Sequence, residues 1–201
     1  MNYLAHAYLS FEQPDLLVGN MISDFVKGRK QYDYPPGIQR GIRLHRAIDT
    51  FTDLHDATRQ AKEYFRKDYR LYAGAFVDVV YDHYLANDKN CFPAEKDLHQ
   101  TAAFTYETLQ LHFNLLPGQL QTMLPYMKAQ NWLYNYRYNW AIEKSLMGVV
   151  RRSKYLEESA KGFAVFEMYY DELKQCYDVF FPELKGMASD FLLFEKMAEP
   201  D

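Results

Sequence analysis

Residues 41–53 read G-I-R-L-H-R-A-I-D-T-F-T-D. His45, Asp49 and Asp53 recur every four residues, and on a helix that spacing stacks them along one face, a turn apart. Ile42, Leu44, Ala47, Ile48 and Phe51 take up much of the remaining circumference. The stretch is therefore expected to form a largely buried helix over 37–51. One imidazole and two carboxylates in such a stripe are costly unless each is paired, hydrogen-bonded or bound to metal.

On the N-terminal side, residues 2–10 have short helical character with His6 inside it. Pro14-Asp15 then starts a new helix, with proline in the first turn and an acid at the positive end of the dipole. Its run L-L-V-G-N-M-I-S-D-F-V-K-G is interrupted by Gly19-Asn20 and closed by Gly28, a candidate C-cap. Asp24 sits in an otherwise apolar turn between Ile22 and Phe25. Residues 29–36 form a loop ended by two prolines.

On the C-terminal side, Thr52 to Asp56 has the spacing of an N-cap for the next helix, so capping accounts for Asp53 as well as metal binding does. Residues 56–68 alternate charge in a helical pattern. The stretch Y-R-L-Y-A-G-A-F-V-D-V-V-Y-D-H-Y-L-A, 69–86, follows. Its β-branched residues suit a strand, but its length and the four-residue step from Asp78 to Asp82 favour a buried helix. Two carboxylates on one buried face repel unless something positive lies between them. His83 follows Asp82 directly and points elsewhere on the helix, although both can border one cleft.

Beyond residue 86 the periods predict helices over 93–116, 117–130, 138–151 and 161–180, with turns at Pro93, Pro117-Gly118 and Pro182. Here N-W-L-Y-N-Y-R-Y, 131–138, gathers aromatics around Arg137. R-R-S-K, 151–154, suits an anion or a helix C-terminus. There are no repeats and no linker, so 201 residues are expected to form one all-α domain, a helical bundle. Its polar site would come mainly from 1–86, with 87–201 as supporting helices.

Composition narrows the function. Eighteen tyrosines and fourteen phenylalanines make a Tyr-rich helical core the expectation. A net charge of −4 argues against nucleic acid as the main partner. Cys91 and Cys176 lack C-x-x-C spacing and read as free thiols of a reducing compartment. The start, M-N-Y-L-A-H-A-Y-L-S, lacks a signal peptide's basic and apolar regions, and no stretch is apolar enough to span a membrane. A cytoplasmic location is expected.

Together, His6, Asp24, His45, Asp49, Asp53, Asp78, Asp82 and His83 all fall within the first 83 positions. Imidazole and carboxylate without thiolate suit manganese, iron, magnesium or zinc, and helical bundles build metal sites from facing helices. A buried ion-pair network with Arg43, Arg46 and Arg137 is the other arrangement that satisfies these groups. Phosphate-loop, nucleophile-elbow, dinucleotide and H-E-x-x-H motifs are absent.

N-Y-L-A-H-A-Y-L-S at the start, G-N-M-I-S-D-F-V-K-G at 19–28, the quoted 41–53 stretch and D-V-V-Y-D-H-Y-L-A at 78–86 resemble the acyl carrier protein phosphodiesterase family. The runs N-W-L-Y-N-Y-R at 131–137 and M-G-V-V-R-R at 147–152 are in the same style, so the resemblance spans nearly the whole chain. It implies a fold related to the HD-type metal-dependent phosphohydrolases. The implied reaction is hydrolysis of the phosphodiester joining 4′-phosphopantetheine to a serine of holo-acyl carrier protein, with a divalent metal, manganese first. It further implies a metal centre at Asp24, His45, Asp49, Asp82 and His83 with His6 close by, Asp24, His45, Asp82 and His83 being the preferred ligands, although Asp82-His83 reverses the His-Asp order that names the HD class. His6, Asp49 and Arg46 are then expected to act in catalysis, and Arg43 and Arg137 to bind substrate.

Acyl carrier proteins are strongly acidic, so a basic docking face is expected from among Arg29-Lys30, Arg40, Arg43, Arg66-Lys67, Arg70 and Arg151-Arg152. Two other functions fit the same residues: hydrolysis of a small phosphoester or nucleotide, and a non-enzymatic module that binds carrier protein.

Overall fold

The structure, a computed structural model, describes residues 1–153, 155–156 and 160–198, with backbone alone at 196–198. Lys154 of the R-R-S-K run lies outside the described residues. Among these residues there are helices and turns and no strand. In order the helices are α1 (Tyr3–Tyr8), α2 (Pro14–Ile22), α3 (Pro36–Leu54), α4 (Asp56–Tyr69), α5 (Ala73–Asn87) and α6 (Glu95–Leu111). Then come α7 (Gly118–Ala129), α8 (Trp132–Asn135), α9 (Asn139–Arg152), α10 (Ala160–Met168) and α11 (Tyr170–Ala198). One cluster of buried apolar side chains runs from Met1 to Ala188, with Tyr81, Tyr84 and Tyr177 fully enclosed among Phe166, Phe180 and Phe181. The expected all-α bundle is what forms.

The quoted stretch lies in α3, which starts at Pro36, where a missing N–H and a preset φ cost nothing. Burial covers one face only: Ile38, Gly41, Ile42, Leu44, His45, Ile48 and Thr52 are enclosed, while Arg43, Arg46 and Thr50 face water. α2 crosses this face backbone to backbone. A Cβ at Gly19 would lie 2.1 Å from the Ile38 carbonyl oxygen, and one at Gly41 would lie 2.3 Å from that of Leu16. Gly19 thus does not interrupt α2. It is the residue that lets α3 approach. Gly28 does not cap α2 either: the helix stops at Ile22, a 3₁₀ turn spans Ser23–Phe25, and Gly28 (φ +57°) opens a second turn, Gly28–Asp33.

Asp53 neither caps α4 nor joins the site. α3 runs on to Leu54, His55 is the N-cap with its Nδ1 accepting the Ala57 N–H, and Asp53 is exposed beside Lys62 Nζ at 2.8 Å. The predicted helix over 161–180 is two helices broken at Tyr169. Pro182 is no turn but sits inside α11. Burial of Phe180, Phe181 and Leu184 around it offsets the one lost hydrogen bond. α5 is buried almost all round between Phe76 and Ala86, which settles the strand-or-helix ambiguity.

Candidate metal and catalytic site

The α2–α3 crossing places Asn20 between two imidazoles. Its side-chain Nδ2 donates to the His6 carbonyl (2.9 Å) and to Ser10 Oγ (3.1 Å), which leaves its Oδ1 as an acceptor for His6 Nδ1–H at 2.8 Å. Its backbone carbonyl accepts from His45 Nδ1–H at 2.7 Å. Both rings therefore carry their proton on Nδ1 when neutral. They stack nearly parallel, centroids 4.0 Å apart, so both Nε2 atoms present lone pairs to one side.

On that side lie two carboxylates. Asp49, one turn beyond His45 on α3, has Oδ2 3.0 Å from His45 Nε2 and Oδ1 3.4 Å from His6 Nε2. Asp24 Oδ1, from the 3₁₀ turn after α2, is 3.4 Å from His45 Nε2. Donor atoms of His6, His45 and Asp49 all fall within 4.8 Å of one another. Both Nε2 atoms are buried and neither has a hydrogen bond of acceptable geometry, an expensive state for a polar atom out of water. The imidazoles are buried, whereas the Asp24 and Asp49 side chains are 68% and 41% exposed, so the cluster opens to solvent on its acidic side.

The electrostatics follow from this packing. Burial, with His45 alongside, pushes His6 down to about 4, and Asp49 offsets only part of that. Burial also works against a charged His45, but the Asp24 and Asp49 carboxylates outweigh it and lift that ring to about 9. Asp24 is held below the usual carboxylate range by the His45 contact. Burial pushes the Asp49 carboxyl up, but its two imidazole partners more than reverse that. Two stacked imidazolium ions would repel, so the pair takes up at most one proton beyond its two Nδ1 protons, and the favoured acceptor, His45 Nε2, faces two acids. A dication could take the same position. It would accept both Nε2 lone pairs and neutralise both carboxylates, and nitrogen-plus-oxygen donors suit a hard or borderline divalent ion. Nδ1–H bonds to oxygen, as Asn20 supplies twice, are the usual outer support of a metal-binding histidine.

The other expected site residues are placed elsewhere. Asp82 is fully buried, and its two oxygens accept the Leu4 and Ala5 N–H groups at 2.7 and 3.2 Å. It supplies from α5 the cap that Asn2, at the start of α1, does not provide. His83, the next residue, projects to another side: Nδ1–H donates to the Tyr136 carbonyl (2.8 Å), and Nε2 accepts from the Tyr170 hydroxyl (3.0 Å). Neither joins the His6–His45 cluster, because adjacent helical residues point about 100° apart and α5 contributes at its own packing faces. Asp78 lies 3.2 Å from the buried Met1 amino group, which is also 3.6 Å from Asp49.

The arginines are likewise engaged. Arg43, two residues before His45 and so on the far side of α3, pairs with Glu195 of α11. Arg46 bonds Gln31 Oε1 (2.5 Å) and the Val26 carbonyl (3.4 Å), fastening the 26–31 loop to α3. Arg137 lies 2.8 Å from Glu95, donates to the Tyr134 hydroxyl at 2.7 Å and packs over the Tyr134 and Tyr138 rings. None of the three faces the imidazole pair. Asn20, which bonds both imidazoles, is the member of the cluster that the sequence reading passed over. Its signal was a lone amide in an apolar turn beside a glycine.

The family model for acyl carrier protein phosphodiesterase matches residues 1–184. Curated proteins of that name are similar over 94% of this chain. The Yersinia enterocolitica protein is 32% identical over 190 residues (98% of its own length), that of Yersinia pestis 31% over 188 (97%). An Escherichia coli protein is 29% identical over 189 residues (98% of its length). No solved structure matches the chain. No helix among the described residues is long and apolar enough to cross a membrane.

Proposed function

Because the chain belongs to the acyl carrier protein phosphodiesterase family, we propose that it hydrolyses the phosphodiester between 4′-phosphopantetheine and a serine of holo-acyl carrier protein. The products are apo-carrier protein and 4′-phosphopantetheine. Water adds to phosphorus, the P–O bond to serine breaks, and the serine oxygen takes up a proton. The observation that carries this reading is the pair of buried Nε2 atoms without a hydrogen bond, facing Asp24 and Asp49.

His6, His45, Asp49 and Asp24 would hold the divalent ion, with manganese the first expectation and magnesium, iron or zinc the others. This set replaces Asp82 and His83, whose polar atoms have other partners. The ion supplies Lewis acidity toward a phosphoryl oxygen and a nucleophile from water near neutral pH. Asn20 fixes both rings in the tautomer that presents Nε2. Asp24 and Asp49 form the open rim, which suits a phosphodiester carried on a folded protein rather than one enclosed in a pocket. Arg46 holds the neighbouring loop in place. The same proposal places the enzyme in the cytoplasm, where Cys91 and Cys176 stay as free thiols.

The test is mass spectrometry of holo-acyl carrier protein incubated with the enzyme and manganese. Expected is loss of the phosphopantetheine group, abolished by chelator and by His45→Ala, and retained in Asp56→Ala, whose exposed carboxylate pairs with Arg59. A fully active His45→Ala, or cleavage of nucleotides in preference to holo-carrier protein, would overturn the assignment.

A further inference from the structure

Helix α1 turns His6 toward the imidazole–carboxylate cluster, and the next two residues, Ala7 and Tyr8, lie about 100° and 200° further round it. On that other side a cavity of about 330 Å³ opens between the end of α1, α6 and α11. It is lined by Ala7, Tyr8, Phe11 and Phe104, with Thr101, Lys185 and the exposed Glu12 as its polar members. None of these belongs to the His6–His45 cluster. The volume is at the small end for ligand cavities, so a compact molecule fits it and a polymer segment does not.

Lys185 is half-buried and fixed in place. Its Nζ donates to the Tyr8 hydroxyl at 2.9 Å and lies 5.2 Å from the centre of that ring, which Phe92 and Phe181 hold in turn. Burial raises the Tyr8 phenol above its ordinary value, so this partner is neutral and leaves the ammonium charge uncompensated. An ammonium has three donors, and Tyr8 takes one. Among the described residues Lys185 has no carboxylate partner. Glu12 lines the same cavity without pairing to it, and Asp88, whose charge Tyr8 also feels, is spent on the Asn90 N–H (2.8 Å) and the Tyr177 hydroxyl (3.0 Å).

The lip of the cavity supplies an independent observation. Phe11 and Glu12 have φ of +49° and +55°, two successive non-glycine residues in the left-handed region. Glycine or asparagine would make this turn at lower cost. Ser10, just before them, is buried and tied to the His6 carbonyl and to Asn20, so the turn cannot relax toward α1. Backbone strain of this kind gathers at ligand clamps, and here it holds Phe11 at the cavity wall.

We propose that this cavity is a second binding site, for a compact monocarboxylate with an apolar body. The carboxylate takes the two unspent Lys185 donors and the Thr101 hydroxyl, and the body lies against Phe11, Phe104 and Ala7. A charged pair with apolar walls around it is the arrangement that recognises such a molecule. Phosphate is excluded by the same walls, because its second charge and additional oxygens would find no donors. An alkylamine would meet Lys185 with charge of the same sign.

The experiment is isothermal titration calorimetry of the whole protein with sodium octanoate, and it does not depend on the phosphodiesterase reading. Saturable binding with Kd below about 1 mM is expected. Affinity should rise by about three- to fourfold per methylene from hexanoate to octanoate. Lys185→Met should weaken octanoate by about tenfold or more, while Lys185→Arg and Lys128→Met, the latter at an exposed position on α7, stay within about fivefold of wild type. Unchanged melting temperatures establish that each variant folds. Octylamine and inorganic phosphate should neither bind there nor displace octanoate. Equal binding of octylamine, an affinity independent of chain length, or full binding by Lys185→Met would overturn the proposal. So would a dimer in sedimentation that Lys185→Met dissociates, since a second copy of the chain would then occupy the cavity.

Discussion

Replacing Asn20 by alanine tests whether the imidazole pair is a supported metal site. The Asn20 side chain makes three hydrogen bonds, to His6 Nδ1, the His6 carbonyl and Ser10 Oγ. Ser10 Oγ also donates to the His6 carbonyl at 2.8 Å, so the group left without any partner is His6 Nδ1–H. One such buried orphan costs about 1–3 kcal/mol. In a chain of this length that lowers the melting temperature by roughly 2–12 °C. Freed from Asn20, the ring can also move its proton to Nε2, where it blocks coordination. Losing this outer support should cost about 10–100-fold in metal affinity or activity.

Ser10→Ala is the control, because it removes bonds from the same cluster but keeps Asn20 Oδ1 on His6 Nδ1. It should lower stability by about 1 kcal/mol and shift the metal requirement by less than about threefold, since the tautomer-setting bond survives. The assay is phosphopantetheine release against manganese concentration, with melting curves on the same preparations. If Asn20→Ala melts lower yet its manganese curve superimposes on the wild type, Asn20 is only structural and the argument from tautomers fails. Equal shifts in Ser10→Ala would refute it too.

Two further outcomes follow from the packing. Gly19→Ala drives a methyl group to within 2.1 Å of the Ile38 carbonyl oxygen, against backbone that cannot swing aside. It should cost about 3 kcal/mol or more, and activity should fall with it as the Asn20 carbonyl is pulled from His45. A melting temperature within about 2 °C of wild type would show that the helices separate freely. Burial pushes the Asp82 carboxyl up to about 7, with the Leu4 and Ala5 N–H groups offsetting only part of the effect. Between about pH 4 and 7 the folded state then holds a proton that the unfolded state has released, so this contribution is full below about 4 and is lost as pH rises through 7. Asp82→Asn removes the titration. Denaturant titrations across that range should show wild type losing ground to the variant by up to about 1.4 kcal/mol per pH unit, and a constant difference would contradict a raised carboxyl.

Periodicity carried the fold, and the reason is local. The four-residue recurrence in α3, the D-x-x-x-D step in α5 and the prolines ahead of α2 and α3 record which way each side chain faces on its own helix. They do so whatever that helix packs against. Residue type also carried the chemistry: imidazoles and carboxylates without thiolates, drawn from the first half of the chain, are what the cluster contains. Where local signals competed, the reading slipped. Asp53 had the spacing of a cap, but His55 lies one residue before α4 and took that role. Pro182 had the look of a turn, but buried phenylalanines on both sides held α11 through it.

What periodicity does not contain is the rotation of one helix against another, and that selected the site. Asp82 and His83 matched the expected residue types as well as His6 and Asp49 did. The α1–α5 packing turned Asp82 onto the amides of Leu4 and Ala5, and left His83 between Tyr136 and Tyr170. Arg43 and Arg46 flank His45 in sequence, but a helix advances about 100° per residue, so neither shares its face. The glycine contact between α2 and α3 brought Asn20 to both imidazoles and left their Nε2 atoms unsatisfied opposite Asp24 and Asp49. From the sequence alone came an all-helical protein with an imidazole–carboxylate centre and a family resemblance that the comparisons bear out. Which four side chains converge depends on contacts between residues far apart in the chain, and only tertiary packing could decide it.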